Sequence, residues 1–169
     1  PHDAEGTAAV VNKAHAAGIK VLSYDRLVRN ADIDLYISFD NERVGELQAE
    51  AITKRVPRGK YVYIGGPETD YNAHLLRKGV YNVLQPYIDR GDITIVYDQW
   101  TRDWTPAVAR DNMLAALEVS GGMIDAVIAA NDGTAGGAIE ALAEWGLAGR
   151  IPVAGQDAEL AAVQRIVGG

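Results

Sequence analysis

Residues 126–145, AVIAANDGTAGGAIEALAEW, contain the pattern that decides the fold. The first five, 126–130, are all small or β-branched apolar residues, which is typical of a short strand that is buried on both faces. Polar residues suited to capping a helix follow at 131–134, and a helical pattern then runs over 135–145. A buried strand that leads through a polar turn into a helix is the repeating unit of parallel α/β proteins.

The same unit recurs along the whole chain. Strands are predicted over 20–24, 35–38, 60–64, 93–97, 126–130 and 151–154, and helices over 4–17, 41–55, 71–87, 106–119, 135–145 and 158–167. This alternation predicts the α/β class, with a doubly wound parallel sheet, right-handed crossovers and helices on both faces.

One segment breaks the alternation, because 25–34 separates two strand-like pieces without a helix. Parallel neighbours normally need a crossover helix, so 35–39 is predicted to leave one lobe and enter another, with a hinge near 39–41. The alternative is a helix-free loop and an edge strand in one sheet. The preferred division makes 1–38 part of an N-terminal lobe and 39–169 a C-terminal, ligand-binding lobe.

The small first part of the chain is expected to be incomplete. The chain starts at Pro1 rather than Met, in what reads as a loop before a helix, which suggests that it is cut from something longer. One helix and one or two strands cannot bury their own apolar face. We therefore expect the remainder of the same protein, or a second copy of this chain, to complete the first lobe.

The composition excludes several classes of function. The formal charge is −7, from 16 basic and 23 acidic residues, and the basic residues are scattered, so a nucleic-acid-binding surface is not expected. With no cysteine, the chain has neither disulfides nor thiolate metal sites. The 48% hydrophobic content is enough for a buried core.

Polar and aromatic side chains follow the predicted strands directly. These are Asp25-Arg26, Asn131-Asp132 and Gln156-Asp157, with Trp100 and Trp104 after a fourth strand. Because ligands of open parallel sheets bind beyond the carboxyl ends of the strands, these side chains are expected to converge on one crevice. Carboxylates, an amide, a guanidinium and an indole together suit a polyhydroxylated ring.

Each of these residues also has a simpler interpretation. Asp25 and Arg26 could form a solvated ion pair at a strand end. Trp104 could be a rim or core aromatic, although it lies in a polar loop where no amphipathic period would bury it. An indole in that position offers a face on which the C–H face of a sugar can stack, and we rate Trp100 below it.

The candidates before the last two helices could be helix caps. Asn131 and Asp132 are both good capping residues, and we assign capping mainly to Asp132 and ligand contact to Asn131. Asp157, with Gln156 beside it, occupies the same kind of position one strand later. Three such positions that face one crevice favour a shared ligand.

Several motifs together resemble one protein family. They are Tyr24-Asp25-Arg26-Leu27, Tyr36-Ile37-Ser38-Phe39-Asp40-Asn41 followed by Val44-Gly45-Glu46-Leu47-Gln48, Asp98-Gln99-Trp100, Asn131-Asp132 with Thr134-Ala135-Gly136-Gly137-Ala138, and Gly155-Gln156-Asp157-Ala158. Their order and spacing, over nearly all of the chain, are similar to those of the sugar-binding proteins of bacterial ABC transporters, in the ribose- and xylose-binding group.

The resemblance implies a type I periplasmic binding protein lobe with part of a second similar lobe. Such proteins close on a sugar like a hinged clamp, without a cofactor, and deliver it to the permease of an ABC importer. It implies a periplasmic location, or an extracellular one with a membrane anchor, and a neutral monosaccharide as ligand, D-xylose first. A sugar-sensing domain of a transcription regulator or of a membrane sensor is the alternative.

The resemblance also adds residues to the site. It places Asp70 and Asn72 towards the sugar and the stacking aromatic at Trp104. His74 and Arg77, on the next helix, are not included in the set, and a loop or capping role is the alternative for Asp70. The predicted ligand-binding set is Asp25, Arg26, Asp70, Asn72, Trp104, Asn131 and Asp157.

Catalysis and metal binding have little support in the sequence. None of the three serines lies in a G-x-S-x-G elbow, and the amide, guanidinium and indole indicate uniform binding rather than the acid and base of a glycosidase. We therefore predict a binding protein, not an enzyme, with a sugar-converting enzyme less favoured. His2, His15 and His74 share no metal-ligand spacing.

Overall fold

The structure is a computed structural model that describes residues 3–168, so Pro1, His2 and Gly169 lie outside the described part of the chain. The helices are α1 (Ala8–Ala16), α2 (Asn41–Arg55), α3 (Tyr71–Asp89), α4 (Pro106–Ser120), α5 (Asp132–Glu144) and α6 (Leu160–Gly168). The strands are β1 (Leu22–Tyr24), β2 (Leu35–Ile37), β3 (Gly59–Ile64), β4 (Ile93–Gln99), β5 (Ala126–Ala129) and β6 (Val153–Ala154), with a short 3-10 turn at Arg102–Trp104.

The larger of two sheets has four parallel strands in the order β4-β3-β5-β6. Successive residues of β3 face opposite sides, as the pleat requires. Val62 and Ile64 pack in a core with α4 and α5, whereas Tyr61 and Tyr63 pack in a second core with α2 and α3. The prediction of a doubly wound parallel sheet with helices on both faces is confirmed.

The helices on each face approach one another unusually closely. A methyl group at Gly45 of α2 would lie 2.0 Å from the carbonyl oxygen of Leu76 in α3. On the other face, a methyl group at Gly137 of α5 would lie 2.0 Å from the carbonyl oxygen of Pro106 in α4. Both glycines are therefore required by helix packing, because any side chain there would push backbone away.

The smaller sheet consists of β1 and β2, which pair in parallel from Leu22 with Leu35 to Tyr24 with Ile37. The segment between them contains no helix, as in the alternative interpretation. A crossover helix is unnecessary because strands of three residues are short, and ten residues of loop easily return over that length. This sheet is separate from the larger one, so the lobe division at 39–41 stays a prediction that is compatible with the topology.

Asp34 holds the helix-free connection in place. Its Oδ2 accepts hydrogen bonds from the backbone N–H of Val21, at 2.8 Å, and from His15 Nε2, at 2.9 Å. The bond from Val21, with that from His15 and the charge of Lys20, lowers the pKa of Asp34 from 3.8 to about 2. Because this pKa is lowered by folding, the stabilisation is present above pH 3.8 and is lost as the pH falls through about 2.

The small sheet leaves much of its apolar surface uncovered. Leu22, Leu35 and Ile37 are 53%, 50% and 47% exposed, although Val11 of α1 is buried. α1 itself begins at Ala8 rather than at the predicted residue 4. A local turn replaces its first residues, because Asp3 Oδ1 accepts hydrogen bonds from the backbone N–H groups of Glu5 and Gly6. No helix within residues 3–168 is both long and apolar enough to cross a membrane.

Candidate functional site

A cleft of about 720 Å³ opens beyond the carboxyl ends of the strands, between the smaller and the larger sheet. Loops that follow β1, β3, β4, β5 and β6 all contribute to its lining. All seven residues of the predicted set line this one cleft, namely Asp25, Arg26, Asp70, Asn72, Trp104, Asn131 and Asp157. Within each sheet the parallel strands bring their carboxyl ends to one edge, and residues from these edges of both sheets line the cleft.

The structure adds residues that the sequence analysis did not select. Phe39 lines the cleft from the connection between β2 and α2, Asn41 and Val44 line it from the first turn of α2, and Asp103 lines it beside Trp104. Asn41 carries a similar signal to Asn131, since each is a polar residue that follows a strand, Asn41 as the first residue of α2 and Asn131 as the N-cap of α5. The rule that found the other strand ends could therefore have found Asn41, whereas nothing in the local pattern distinguishes Val44.

Asp70 links several groups around the cleft, and its side chain is only 2% exposed. Its Oδ1 accepts a hydrogen bond from the backbone N–H of Asn72 at 3.0 Å, and so caps α3. Its Oδ2 lies 2.9 Å from Arg26 Nε and accepts a hydrogen bond from Trp104 Nε1 at 3.0 Å. A sugar hydroxyl would have to compete with these donors, so direct sugar contact by Asp70 stays a prediction.

A second contact joins the two sides of the cleft, between Asn72 and Asp25. Asn72 Nδ2 donates to Asp25 Oδ1 at 3.3 Å and to its carbonyl oxygen at 3.4 Å. Asn72 Oδ1 is buried and, among the described residues, has no hydrogen-bond partner. Because a buried acceptor without a donor costs about 1–3 kcal/mol, a ligand hydroxyl that reached this oxygen would relieve that cost.

α5 is capped by Asn131 and not, as predicted, mainly by Asp132. Asn131 is the N-cap of α5, and its Oδ1 accepts hydrogen bonds from the backbone N–H of Thr134 at 2.9 Å and from its hydroxyl at 2.8 Å. Asp132 is the first helical residue and accepts the backbone N–H of Glu159 at 2.9 Å. The prediction that Asp132 caps was wrong, because only the residue before the helix has the extended backbone of a cap.

This cap restricts what Asn131 can offer to a ligand. Since Oδ1 is held by Thr134, the group left to act in the cleft is the Nδ2 donor. Asn131 also hydrogen bonds to Asp157, and this bond acts to lower the pKa of the Asp157 carboxyl. Asn131 can therefore join the cap of α5 to the carboxylate that follows β6.

The carboxyl of Asp157 is held in an environment that disfavours its charge. Partial burial, followed by the nearby Asp132 carboxylate, raises the pKa of Asp157 above its ordinary value of 3.8, and the bond from Asn131 offsets only part of this. An ionised Asp157 can accept hydrogen bonds from two vicinal hydroxyls. Bound hydroxyls would add donors to the one that Asn131 supplies.

We predict that Asp157→Asn stabilises the ligand-free protein at neutral pH. A carboxyl with a raised folded pKa binds its proton more tightly in the folded state, so folding stability declines as the pH rises above 3.8 and the full cost is present above the folded pKa. Denaturant unfolding at pH 7 should give a larger free energy of unfolding for Asp157→Asn than for the parent protein. This difference should disappear below pH 3.8. An equal gain in the free energy of unfolding at pH 7 and below pH 3.8 would show that the charge of Asp157 is not its cause.

Backbone strain is concentrated around the cleft. Within residues 3–168, six residues other than glycine have a positive φ, and four of them line the cleft: Asp25, Asp103, Trp104 and Asp157. This conformation costs roughly 1–2 kcal/mol for an L-residue and is rare for a bulky side chain such as tryptophan. Strain that gathers at one place points to a functional site.

The two tryptophans that follow β4 have different environments. Trp104 lines the cleft, whereas Trp100 does not. The Trp100 ring contacts His74 at a centroid distance of 4.8 Å, and Arg77 lies 5.6 Å from its centroid. Arg77 also pairs with Asp98 at 2.5 Å, so His74 and Arg77 belong to a cluster outside the cleft lining.

The histidines have partners other than a metal. His15 Nε2 contacts Asp34, and His74 Nε2 lies 2.7 Å from the carbonyl oxygen of Glu68. Within the described residues, no group of three or more His, Asp or Glu side chains is arranged to hold a metal ion. His2 lies outside the described residues.

Comparison with known proteins identifies the family. The model of the periplasmic binding protein domain matches residues 1–169. The chain belongs to this family. It is 51% identical to the D-xylose-binding periplasmic proteins of Escherichia coli (strain K12) and of Haemophilus influenzae, over the whole chain and 51% of the length of each relative. The chain therefore spans about half the length of the curated relatives it matches.

A solved structure gives the same result for the fold. The carbohydrate transporter solute binding protein from Chloroflexus aurantiacus, in complex with D-glucose, superposes with a TM-score of 0.89 at 32% identity. The superposition covers 100% of this periplasmic binding protein domain and 58% of that chain. The predicted family and the predicted fold class, a type I periplasmic binding protein lobe, are confirmed.

Proposed function

We propose that the protein is a solute-binding protein that captures a neutral monosaccharide, D-xylose first, in the periplasm and delivers it to the permease of an ABC importer. The observation that carries the proposal is the convergence on one cleft of all seven residues selected from the sequence for sugar binding. The relatives that are 51% identical are named as D-xylose-binding periplasmic proteins, which supports both the ligand and the location.

Each side of the cleft supplies a different part of the sugar site. Asp25 and Arg26 follow β1 and can accept from and donate to hydroxyls. Asn131 and Asp157 follow β5 and β6 and reach the cleft from the larger sheet. Trp104 provides the surface on which the apolar face of the sugar ring stacks.

The lobe division belongs to the same proposal. We place 1–38 in one lobe and 39–169 in the other, with a hinge near 39–41, and the separation of the two sheets supports this division. The exposed apolar side chains of β1 and β2 favour further protein against the small sheet, from the same protein or a second copy. Enclosure between two lobes would keep water from the sugar.

The geometry favours binding without catalysis. Asp25 is bonded by Asn72, and Asp70 is bonded by Arg26 and Trp104, so two of the carboxylates in the cleft are already engaged in fixed contacts. A glycosidase needs one carboxyl held protonated to protonate the leaving group and a second that is free to attack or to activate water. With the relatives that are named as D-xylose-binding periplasmic proteins, these fixed contacts of Asp25 and Asp70 support a binding protein rather than an enzyme.

Calorimetric titration of the full-length protein tests the ligand. We expect D-xylose to bind more tightly than ribose or glucose, and a sugar phosphate to bind worst. Among the described residues, the cleft lining includes the carboxylates of Asp25, Asp70, Asp103 and Asp157 and one cationic group, that of Arg26. This excess of negative charge would repel a phosphate dianion. Tighter binding of the sugar phosphate than of the neutral sugars, or no binding of any monosaccharide, would contradict the proposed function.

A further inference from the structure

We propose that Asp70 is a positioning residue that fixes the indole of Trp104 and the guanidinium of Arg26 in one arrangement before a sugar arrives, with the bare backbone of Gly66 as the surface on which the indole lies. This role rests on the proposed sugar-binding function. It assigns Asp70 and Gly66 to the preparation of the site and leaves Trp104 and Arg26 to contact the sugar.

Asp70 contacts both Arg26 and Trp104 through one carboxylate oxygen. Its side chain is 2% exposed, and its Oδ2 lies within 3.0 Å of both Arg26 Nε and Trp104 Nε1. The indole N–H can only donate, and a guanidinium can only donate, so a charged acceptor between them satisfies both groups at once. Little of the carboxylate surface is left for a ligand.

The backbone of Gly66 lies against the indole ring of Trp104. A methyl group at Gly66 would lie 2.3, 2.5 and 2.6 Å from Cη2, Cζ2 and Cζ3 of Trp104, three adjacent carbons of the six-membered ring. Nearly equal distances to adjacent ring atoms place this methyl over the ring face rather than at its edge. Gly66 has no positive φ, so the ring, and not the backbone conformation, requires a glycine here.

The backbone of Trp104 shows why its indole needs to be held. Asp103 and Trp104 have φ values of 55° and 56°, a conformation that bulky residues rarely adopt. A strained segment persists when surrounding contacts determine it, and the bond to Asp70 and the surface of Gly66 are such contacts. Without them, the 3-10 turn would be free to relax and the indole would leave its position.

Asp70 also connects the two sheets. Arg26 follows β1 of the small sheet, whereas Trp104 follows β4 of the larger one. One carboxylate therefore sets the relative position of a donor for the sugar hydroxyls and of the stacking surface. Positions fixed in advance lower the entropy cost of binding.

A double-mutant cycle in the full-length protein tests this role. The variants are Asp70→Asn, Trp104→Phe, which keeps an aromatic ring but lacks the N–H, and the two together, with D-xylose affinity measured by calorimetry. We expect Asp70→Asn alone to weaken D-xylose binding about tenfold or more. The same substitution should weaken binding clearly less in the Trp104→Phe background, because the effects of substituting two residues that share a hydrogen bond are not additive. Additive losses would overturn the role.

The indole N–H signal of Trp104 in ¹⁵N-tryptophan NMR spectra is the second readout, assigned by its absence from Trp104→Phe. It should shift in Asp70→Asn and in Gly66→Ala without any sugar. Gly65→Ala is the matched control, because its methyl would meet Trp100 and Tyr63 at 3.1 and 3.2 Å instead. It should leave the Trp104 signal in place and the affinity within about twofold.

The outcomes separate the two proposals. If the parent protein bound no sugar, the proposed function would fail, and the indole signal would still decide the positioning role because the bond to Asp70 exists without ligand. If Asp70→Asn did not fold, Gly66→Ala would test the positioning role instead. It should shift the indole N–H signal of Trp104 and weaken D-xylose binding about tenfold. Unchanged signals and affinities in both variants would overturn the role.

Discussion

Trp104→Ala is expected to weaken binding of D-xylose by the full-length protein by about 1–3 kcal/mol, which is about 5- to 150-fold. The substitution removes the stacking surface, and it also removes a donor from the buried Asp70 carboxylate, whose remaining side-chain neighbour is Arg26. It further frees the strained turn at Asp103, so the geometry of the site should change as well as its area. Calorimetric titration, with circular dichroism to check folding, measures the effect.

Two other tryptophans serve as controls for this substitution. Trp100→Ala removes a ring that contacts His74 outside the cleft lining and should cost less binding than Trp104→Ala. Trp145, after α5, is 42% exposed and does not line the cleft, so Trp145→Ala should bind as the parent does. Normal sugar binding by a well-folded Trp104→Ala would show that the proposed site is wrong.

Gly137→Ala should lower the free energy of unfolding by about 3 kcal/mol, at the upper end of the usual range for overpacked cores. The new methyl would lie 2.0 Å from the carbonyl oxygen of Pro106 and 3.0 Å from the backbone nitrogen of Arg110. Backbone cannot rotate away as a side chain can, so α4 and α5 would have to separate and open the core that they share with β3 and β5. Denaturant unfolding measures the loss.

The adjacent residue gives a matched control on the same helix. A methyl at Gly136 would meet only the end of the Arg165 side chain, at 3.5 Å, and this flexible group can move. Gly136→Ala should therefore stabilise the protein by roughly 0.5–1 kcal/mol through the better helix propensity of alanine. Equal effects of the two substitutions would show that helix packing does not require Gly137.

The regular part of the fold could be predicted because its signals are local. The apolar run 126–130 leads into a polar turn and a helical pattern, and the structure has β5 and α5 there. The start of α5 was misplaced, at 135 rather than Asp132, because Asn131, Asp132 and Thr134 all suit a cap by type. Only the backbone conformation of Asn131 distinguishes the residue that caps.

The convergence of the predicted site also follows from a general rule. Residues after parallel strands meet at one edge of a sheet, so Asn131 and Asp157 could be selected without knowledge of any contact, and Asp25 follows a strand of the small sheet on the other side of the cleft. Asp70 and Asn72 were selected from resemblance alone, and the structure places both in the same cleft. The ligand roles of these residues stay predictions that the titrations above test.

The sequence by itself determined the order of strands and helices, the helices on both faces, and the edge at which polar residues gather. The tertiary structure decided that β1 and β2 pair without a helix, that Asn131 caps α5, and that Asp70 joins Arg26 to Trp104. Periodicity and capping residues act over a few neighbouring positions, so they can be read along the chain. Arg26 and Trp104 are far from Asp70 in sequence, and only the folded chain brings their donors within reach of its Oδ2 atom.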